Sequence, residues 1–328
     1  MATTLLLAAA LLPPAFLLAT LFFIIRPRPV NIPIKDRHMF ISGGSTGIGF
    51  AIARQAAIDG ARVSILARDA SKLEAAREEI RRTTGAEVAI YSADIRDEAA
   101  VNKAIAAAGT IDLLVSNLGV GIGKEFEDTT MEEIRFQVDV NIMGTLYLLK
   151  AALPRMKKAS VEDGLPRSIS FTTSMGGQTG IYGYAVYCAT NYAVRGLAEA
   201  LQMELHGENI HLSLILPGDT DTATGNKDRT TRPELTNLIS GTSAMQTAEE
   251  VATLAIKGIR AADFNVCVNS QGLMLALATA GFSPQRSFLM AFLEVFGGGL
   301  MRFAGLCYLS SWYKTIEEYK GKTKKARK

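Results

Sequence analysis

A chain of 328 residues, 48% of them hydrophobic, can hold one large α/β domain with appendages. Its 35 basic and 32 acidic side chains leave a net charge of +3, which offers no electrostatic basis for nucleic-acid binding. Cys188, Cys267 and Cys307 are too scattered for a disulfide framework and fit a reducing compartment; His38, His206 and His211 lack ligand spacing, so no metal site is expected.

The chain opens with an apolar segment. Residues 5–25 carry no charge and are long enough, at about 1.5 Å per residue, to cross a hydrocarbon core about 30 Å thick. Pro13 and Pro14 predict a bend within it. No basic residue precedes the run and no small-x-small site follows it, so residues 1–25 are expected to be an uncleaved transmembrane anchor rather than a signal peptide. Arg26, Arg28, Lys35 and Arg37 lie just beyond, which predicts that the following domain faces the cytosol. Three prolines make residues 26–36 an extended linker.

From Arg37 onward, short apolar runs alternate with helical stretches, the pattern of βαβ units on a parallel sheet. Strands are predicted at 38–42, 62–67, 87–92, 113–116, 168–172, 211–216 and 264–268. Leu73, Ala76 and Ile80 share one face of a predicted helix over 71–82. The expected fold is α/β, a Rossmann-type doubly wound parallel sheet of about seven strands over residues 37–270.

Residues 219–246 break this rhythm. They are rich in Thr, Asp, Asn and Gly and lie beside C-terminal strand ends, the place and composition of a substrate lid. Residues 273–282, 288–296 and 300–309 are apolar runs interrupted by Pro284, Arg286, Glu294 and Arg302, each too short to span a bilayer alone. Two readings of residues 271–328 stay open: core or dimer helices, or a membrane-hugging surface whose basic tail touches anionic lipid.

The chemistry gathers at a glycine-rich turn, Ser42-Gly43-Gly44-Ser45-Thr46-Gly47-Ile48-Gly49, which follows the first predicted strand and opens a helix at 48–59. Gly43 permits the tight turn, Gly47 lets the backbone approach a pyrophosphate, and Gly49 allows close helix–strand packing. The helix N-terminus then favours phosphate. Arg68, just past the second strand, suits a ribose 2′-phosphate and points to NADPH, with Ser45 as a helper. Asp94, followed by Ile95, is placed for an adenine amino group or for a helix cap. Asn117 and Gly119 close the fourth strand, and Asn141 sits in a helix beginning near Met131, where it could hold a water on a proton relay. Ser174 and Tyr187 supply a hydroxyl and a phenol, a pair suited to proton transfer coupled to hydride transfer.

These motifs resemble the short-chain dehydrogenase/reductase superfamily over about residues 35–270. Its Thr-Gly-x-x-x-Gly-x-Gly pattern appears as Ser42, Gly43, Gly47 and Gly49. Its Asn-Asn-Ala-Gly appears as Ser116-Asn117-Leu118-Gly119, and its active-site set as Asn141, Ser174 and Tyr187. Where the family has lysine four residues after the tyrosine, this chain has Asn191.

Segments 192–204, 217–222 and 236–240 are similar to a branch that reduces long-chain keto-sphingoid substrates on the cytosolic face of the endoplasmic reticulum membrane. The resemblance implies that Pro217, Gly218 and Thr220 complete the nucleotide site. It also implies that membrane lipid is a partner and that the chain forms a homo-oligomer. Ser174 would bond the ketone oxygen and Tyr187 would protonate it. The family lysine would hold the nicotinamide ribose and lower the phenol pKa. Asn191 carries no charge, although an amide can still bond a ribose hydroxyl. Alternatives are a reductase of another lipid or steroid ketone, or a catalytically silent NADP-binding protein.

Overall fold

The computed structural model describes residues 2–25, 30–241 and 245–326; the linker residues Arg26 and Arg28 lie outside them. Helix α1 (Ala2–Ile25) continues through Pro13 and Pro14. Then come β1 (His38–Ser42), α2 (Gly47–Ile58), β2 (Arg62–Ala67), α3 (Ala70–Thr84), β3 (Val88–Ser92), α4 (Glu98–Ala108) and β4 (Leu113–Ser116). After these, α5 (Met131–Val138) passes through a π-helical turn (Asp139–Met143) into α6 (Gly144–Asp163). Next are β5 (Arg167–Thr172), α7 (Ala185–Glu204) and β6 (Ile210–Leu216). The chain continues with β7 (Thr220–Asp221), α8 (Ala223–Thr231), α9 (Glu234–Ser240) and β8 (Gln246–Thr247). It ends with α10 (Ala248–Ala261), β9 (Asn265–Cys267), α11 (Ser270–Ala278) and α12 (Phe288–Ala326).

The main sheet is parallel, in the order β3-β2-β1-β4-β5-β6-β9, as the alternating pattern predicted. Strand order reverses between β1 and β4, and at such a switch point the loops leaving neighbouring strands part to form a crevice. Ser42 is in register with both Leu66 and Ser116, so the loops after β1, β2 and β4 leave the sheet side by side.

Side chains alternate across this sheet. Met39 and Ile41 enter one core with Ile52, Leu73 and Val251, while Phe40 enters the other with Leu148, Ile169 and Val194. A period of two on the strands and helices on both faces keep the inner strands dry, while the edge strand β3 is partly exposed. The helices start at the expected signals. Asp69 accepts from the amides of Ser71 and Lys72 at the start of α3, and Gly85 closes that helix with φ 75°. Thr130 and Glu133 form a capping box on α5, as Thr247 and Glu250 do on α10.

Two expectations change. Arg37 is not a charge flanking the apolar segment; it is buried, 2.9 Å from Asp112, which also lies 3.3 Å from fully buried Arg167. A buried guanidinium needs a carboxylate more than lipid phosphate, because an unpaired buried charge costs about 3–5 kcal/mol. The described residues of segment 219–246 form two helices and a two-stranded pairing of β7 with β8. The apolar runs beyond residue 287 are one 39-residue helix, because Glu294 and Arg302 do not break a helix as proline would.

Within α12, the stretch Phe288–Lys322 is long and apolar enough to cross a membrane, and it is almost wholly unburied. Phe22 of α1 packs edge-on against Phe288, with ring centroids 5.7 Å apart.

Candidate active site

One cavity of about 700 Å³ runs from the glycine-rich turn to α12. Its first end is shaped by backbone. Gly43 has φ 67°, and a Cβ there would stand 2.3 Å from the Asn117 carbonyl oxygen. Gly47 has φ 58°, a left-handed conformation that glycine adopts without strain. Gly49 abuts the Gly43 carbonyl and the Asn117 amide, which lets α2 start close against the ends of β1 and β4. Thr46 makes no side-chain cap on α2, which leaves the first-turn amides of that helix for an anion.

Arg68 and Lys72 line this end together with Ser45, and Arg68 has no ion-pair partner among the described residues. Asp69 lies between them, its carboxyl held below the usual range by the Ser71 hydroxyl and the Lys72 amide. Asp94 is bonded to Arg96 through both carboxylate oxygens; the cap of α4 is Asp97 instead.

The second part of the cavity holds the serine–tyrosine pair. Tyr187 is half-buried on α7 between Gly121 and Gly176, where added Cβ atoms would lie 3.2 and 3.5 Å from its ring. Burial pushes its phenol pKa up, while hydrogen bonds from Ser174 and Asn191 pull it down less strongly. Ser174 accepts from the Gly176 amide at 3.1 Å, which turns its remaining O–H toward other acceptors. Asn191 donates to the Tyr187 carbonyl at 2.8 Å, one helical turn back.

Asn141 is bonded within the protein at both ends of its amide. Its Oδ1 accepts from the Val120 amide at 2.8 Å, and its Nδ2 donates to the Val120 carbonyl and to the Thr190 hydroxyl, both at 2.9 Å. Thr190 in turn donates to the Tyr187 carbonyl at 2.8 Å. The π-helical turn at Asp139–Met143 is what aims Asn141 at this loop. Asn141 therefore clamps the strand-end loop after β4 to the helix of the phenol.

The third part is made by the segment after β6 and by the last helices. Asp219, Thr222 and Asp228 enter the cavity wall, followed by Met274, Leu275 and Ala278 of α11 and by Gly305, Tyr308, Leu309 and Trp312 of α12. Thr222 also rests on the glycine turn, its Cγ2 3.2 Å from where a Gly47 Cβ would be. Arg232 ties the segment down, 2.8 Å from Asp219, and donates to the Tyr184 hydroxyl at 3.3 Å.

Of the residues singled out in the sequence, Gly43, Ser45, Gly47, Ile48, Arg68, Asp94, Ile95, Asn117, Gly119, Ser174, Tyr187, Pro217, Gly218 and Thr220 line this one cavity. Gly49, Asn141 and Asn191 stand behind its wall. Sequence reading missed Lys72, Gln178, Tyr184, Thr190, Asp228 and Arg232. Only Lys72 had a local signal, as a second cation one turn beyond Arg68; the others arrive by tertiary folding.

The short chain dehydrogenase family model matches residues 37–233. A 3-dehydrosphinganine reductase of Arabidopsis thaliana is 48% identical over 309 residues, covering 94% of this chain and 93% of its own length. The 3-ketodihydrosphingosine reductase of Bos taurus is 33% identical over 316 residues, covering 94% and 93%. Among solved structures, the 3-ketoacyl-(acyl-carrier-protein) reductase of Brucella melitensis complexed with NADH superposes with a TM-score of 0.64 at 26% identity, covering 71% of this chain and 97% of that one. Glycine turn, sheet order, serine–tyrosine pair and relatives agree: this chain belongs to the short chain dehydrogenase family.

Proposed function

We propose that the chain is an NADPH-dependent reductase of 3-ketodihydrosphingosine, forming dihydrosphingosine. The observation that carries this reading is the continuity of the cavity, which joins a nucleotide cradle to a serine–tyrosine pair and then to the apolar wall of α11 and α12. A long acyl tail needs such a wall, and relatives covering over nine-tenths of the chain are reductases of this substrate by name.

The turn at Gly43–Gly47 and the open first turn of α2 would hold the pyrophosphate, and Arg68 with Lys72 the 2′-phosphate. When bound, the nucleotide supplies the hydride for the carbonyl carbon. Ser174 would donate to the ketone oxygen, and Tyr187 would deliver the proton to that oxygen. Burial keeps the Tyr187 phenol protonated, the state in which it can act as an acid. No cation stands at residue 191 to favour the phenolate, a loss that weakens the acid needed for reduction less than the base needed for alcohol oxidation.

Asn191 is the one observation favouring a second reading, a nucleotide-binding protein without turnover. The same experiment decides both. Purified protein in detergent micelles should consume NADPH on addition of 3-ketodihydrosphingosine and form dihydrosphingosine one for one. Nucleotide binding without any consumption would establish the silent reading instead.

We place the protein at the endoplasmic reticulum membrane with its sheet in the cytosol. The exposed Leu300, Phe303 and Leu306 of α12 support this, because they lie beside the cavity-lining Gly305 and Leu309. Lipid would then pass from the bilayer into the cavity without crossing water.

A further inference from the structure

The wall of the cavity beside Tyr187 carries a charge that hydride and proton transfer do not use. The Tyr184 ring lies 5.6 Å from that of Tyr187, and its hydroxyl donates to Asp228 of α8. Arg232 approaches this group, but its short contact is with Asp219, at 2.8 Å, against 3.8 Å to Asp228. Two carboxylates therefore share the Arg232 guanidinium, and on Asp228 the pull of the more distant Arg229 is weaker than the push of Asp219. Arg229, the next cation on α8, is bonded to Asn226. Asp228 uses Oδ2 for Tyr184, and its Oδ1 accepts no hydrogen bond from the described residues. Asp228 is half-buried and lines the cavity, close enough to help hold the Tyr187 phenol protonated. A second acceptor lies in the same wall: Gln178 is buried, and its Oε1 has no hydrogen-bond partner.

A partly buried carboxylate that shares its guanidinium and keeps an unfilled oxygen is stabilised by a further cation donor. A 3-ketosphingoid base brings one, since the carbon next to its ketone carries a primary ammonium. We propose that Asp228 receives this ammonium, so that the lid selects keto lipids bearing an amine beside the reacting carbonyl; this rests on the reductase reading above. Tyr184 positions the carboxylate, and Arg232 with Asp219 fixes the lid on which it sits.

The test compares two ketones of equal chain length, 3-ketodihydrosphingosine and its analogue lacking the amine, with NADPH. The wild-type kcat/KM should favour the amine-bearing ketone at least about tenfold, the size of one charge-assisted hydrogen bond. Asp228→Asn should bring that ratio to within about twofold of unity, and Asp228→Glu should restore part of it. NADPH affinity, measured on both variants, reads out their folding. Equal wild-type rates on the two ketones would overturn the inference while leaving the reductase reading standing. So would an Asp228→Asn variant in which both rates fall in the same proportion, because that marks a purely structural lid contact. Reduction of neither ketone by the wild type would contradict the reductase reading itself, and the inference with it.

Discussion

The two ends of the cavity are built differently. At the nucleotide end, the shape comes from backbone: left-handed Gly43 and Gly47, an uncapped helix start, and a strand switch point. At the lipid end, the shape comes from side chains that meet only in three dimensions, from Tyr184 through Asp228 to Trp312. Backbone geometry tolerates few residue types and so leaves a short, dense signature; a side-chain wall tolerates many and leaves a diffuse one. The first end fixes what chemistry is available, and the second fixes what is acted upon.

This contrast can be broken at either end. The largest effect is expected for Gly43→Ala, which adds strain of about 1–3 kcal/mol to a left-handed position and drives a Cβ into the Asn117 carbonyl. NADPH affinity should collapse in a fluorescence titration, and an unchanged affinity would show that the turn is not the nucleotide cradle. Arg68→Ala should weaken NADPH by about 1.5–3 kcal/mol through loss of a charge-assisted bond and leave NADH nearly untouched. Equal losses for both nucleotides would remove the 2′-phosphate assignment.

At the other end, Leu309→Ala should cost about 1.5–2.5 kcal/mol of apolar contact with a long tail. That loss should be seen as a raised KM for long-chain ketones alone. A matching rise for a short-chain ketone would mean that α12 shapes the reaction centre instead. The smallest effect is expected for Asn191→Lys. Burial holds the wild-type phenol above its usual value of about 10, so the rate should persist to high pH and fall only as the acid form is lost. A cation one turn away favours the phenolate, so the alkaline limb should move to lower pH in the lysine variant. An unmoved limb would separate residue 191 from the titration of Tyr187.

Much of the fold was legible because strands buried on both faces read as apolar runs, and the left-handed glycines Gly60, Gly85, Gly109, Gly164 and Gly207 punctuate the turns from helix to strand. The first two strands, 38–42 and 62–67, fall where predicted, and 87–92 loses only its first residue to the preceding loop. Residues 219–246 were not legible as helices. Residues 223–231 have polar, turn-favouring composition, and α8 is held by tertiary contacts such as the Arg232–Asp219 pair rather than by propensity. The pairing of β7 with β8 involves two residues on each strand and offers no periodicity to detect.

The last helix misled for the opposite reason. Its charges looked like interruptions, yet Glu294 is satisfied by the Gln285 amide at 2.7 Å, so the helix continues through it. In the candidate site, the serine–tyrosine pair and glycine turn could be read from spacing. The role of Asn141 could not, because it depends on a π-helical turn and on contacts with Val120 and Thr190, far away in sequence.

The central claim is that Tyr187 delivers the proton in reduction of a long-chain amino ketone, and the Tyr187→Phe variant tests it most directly. With NADPH and 3-ketodihydrosphingosine, the variant should lose about 10²–10⁴-fold in kcat, the usual worth of a positioned general acid. Its NADPH affinity should match the wild type, because the lost hydroxyl faces Ser174 and the substrate space rather than the glycine turn. A Tyr187→Phe protein that binds NADPH normally and reduces the ketone at the wild-type rate would contradict the account.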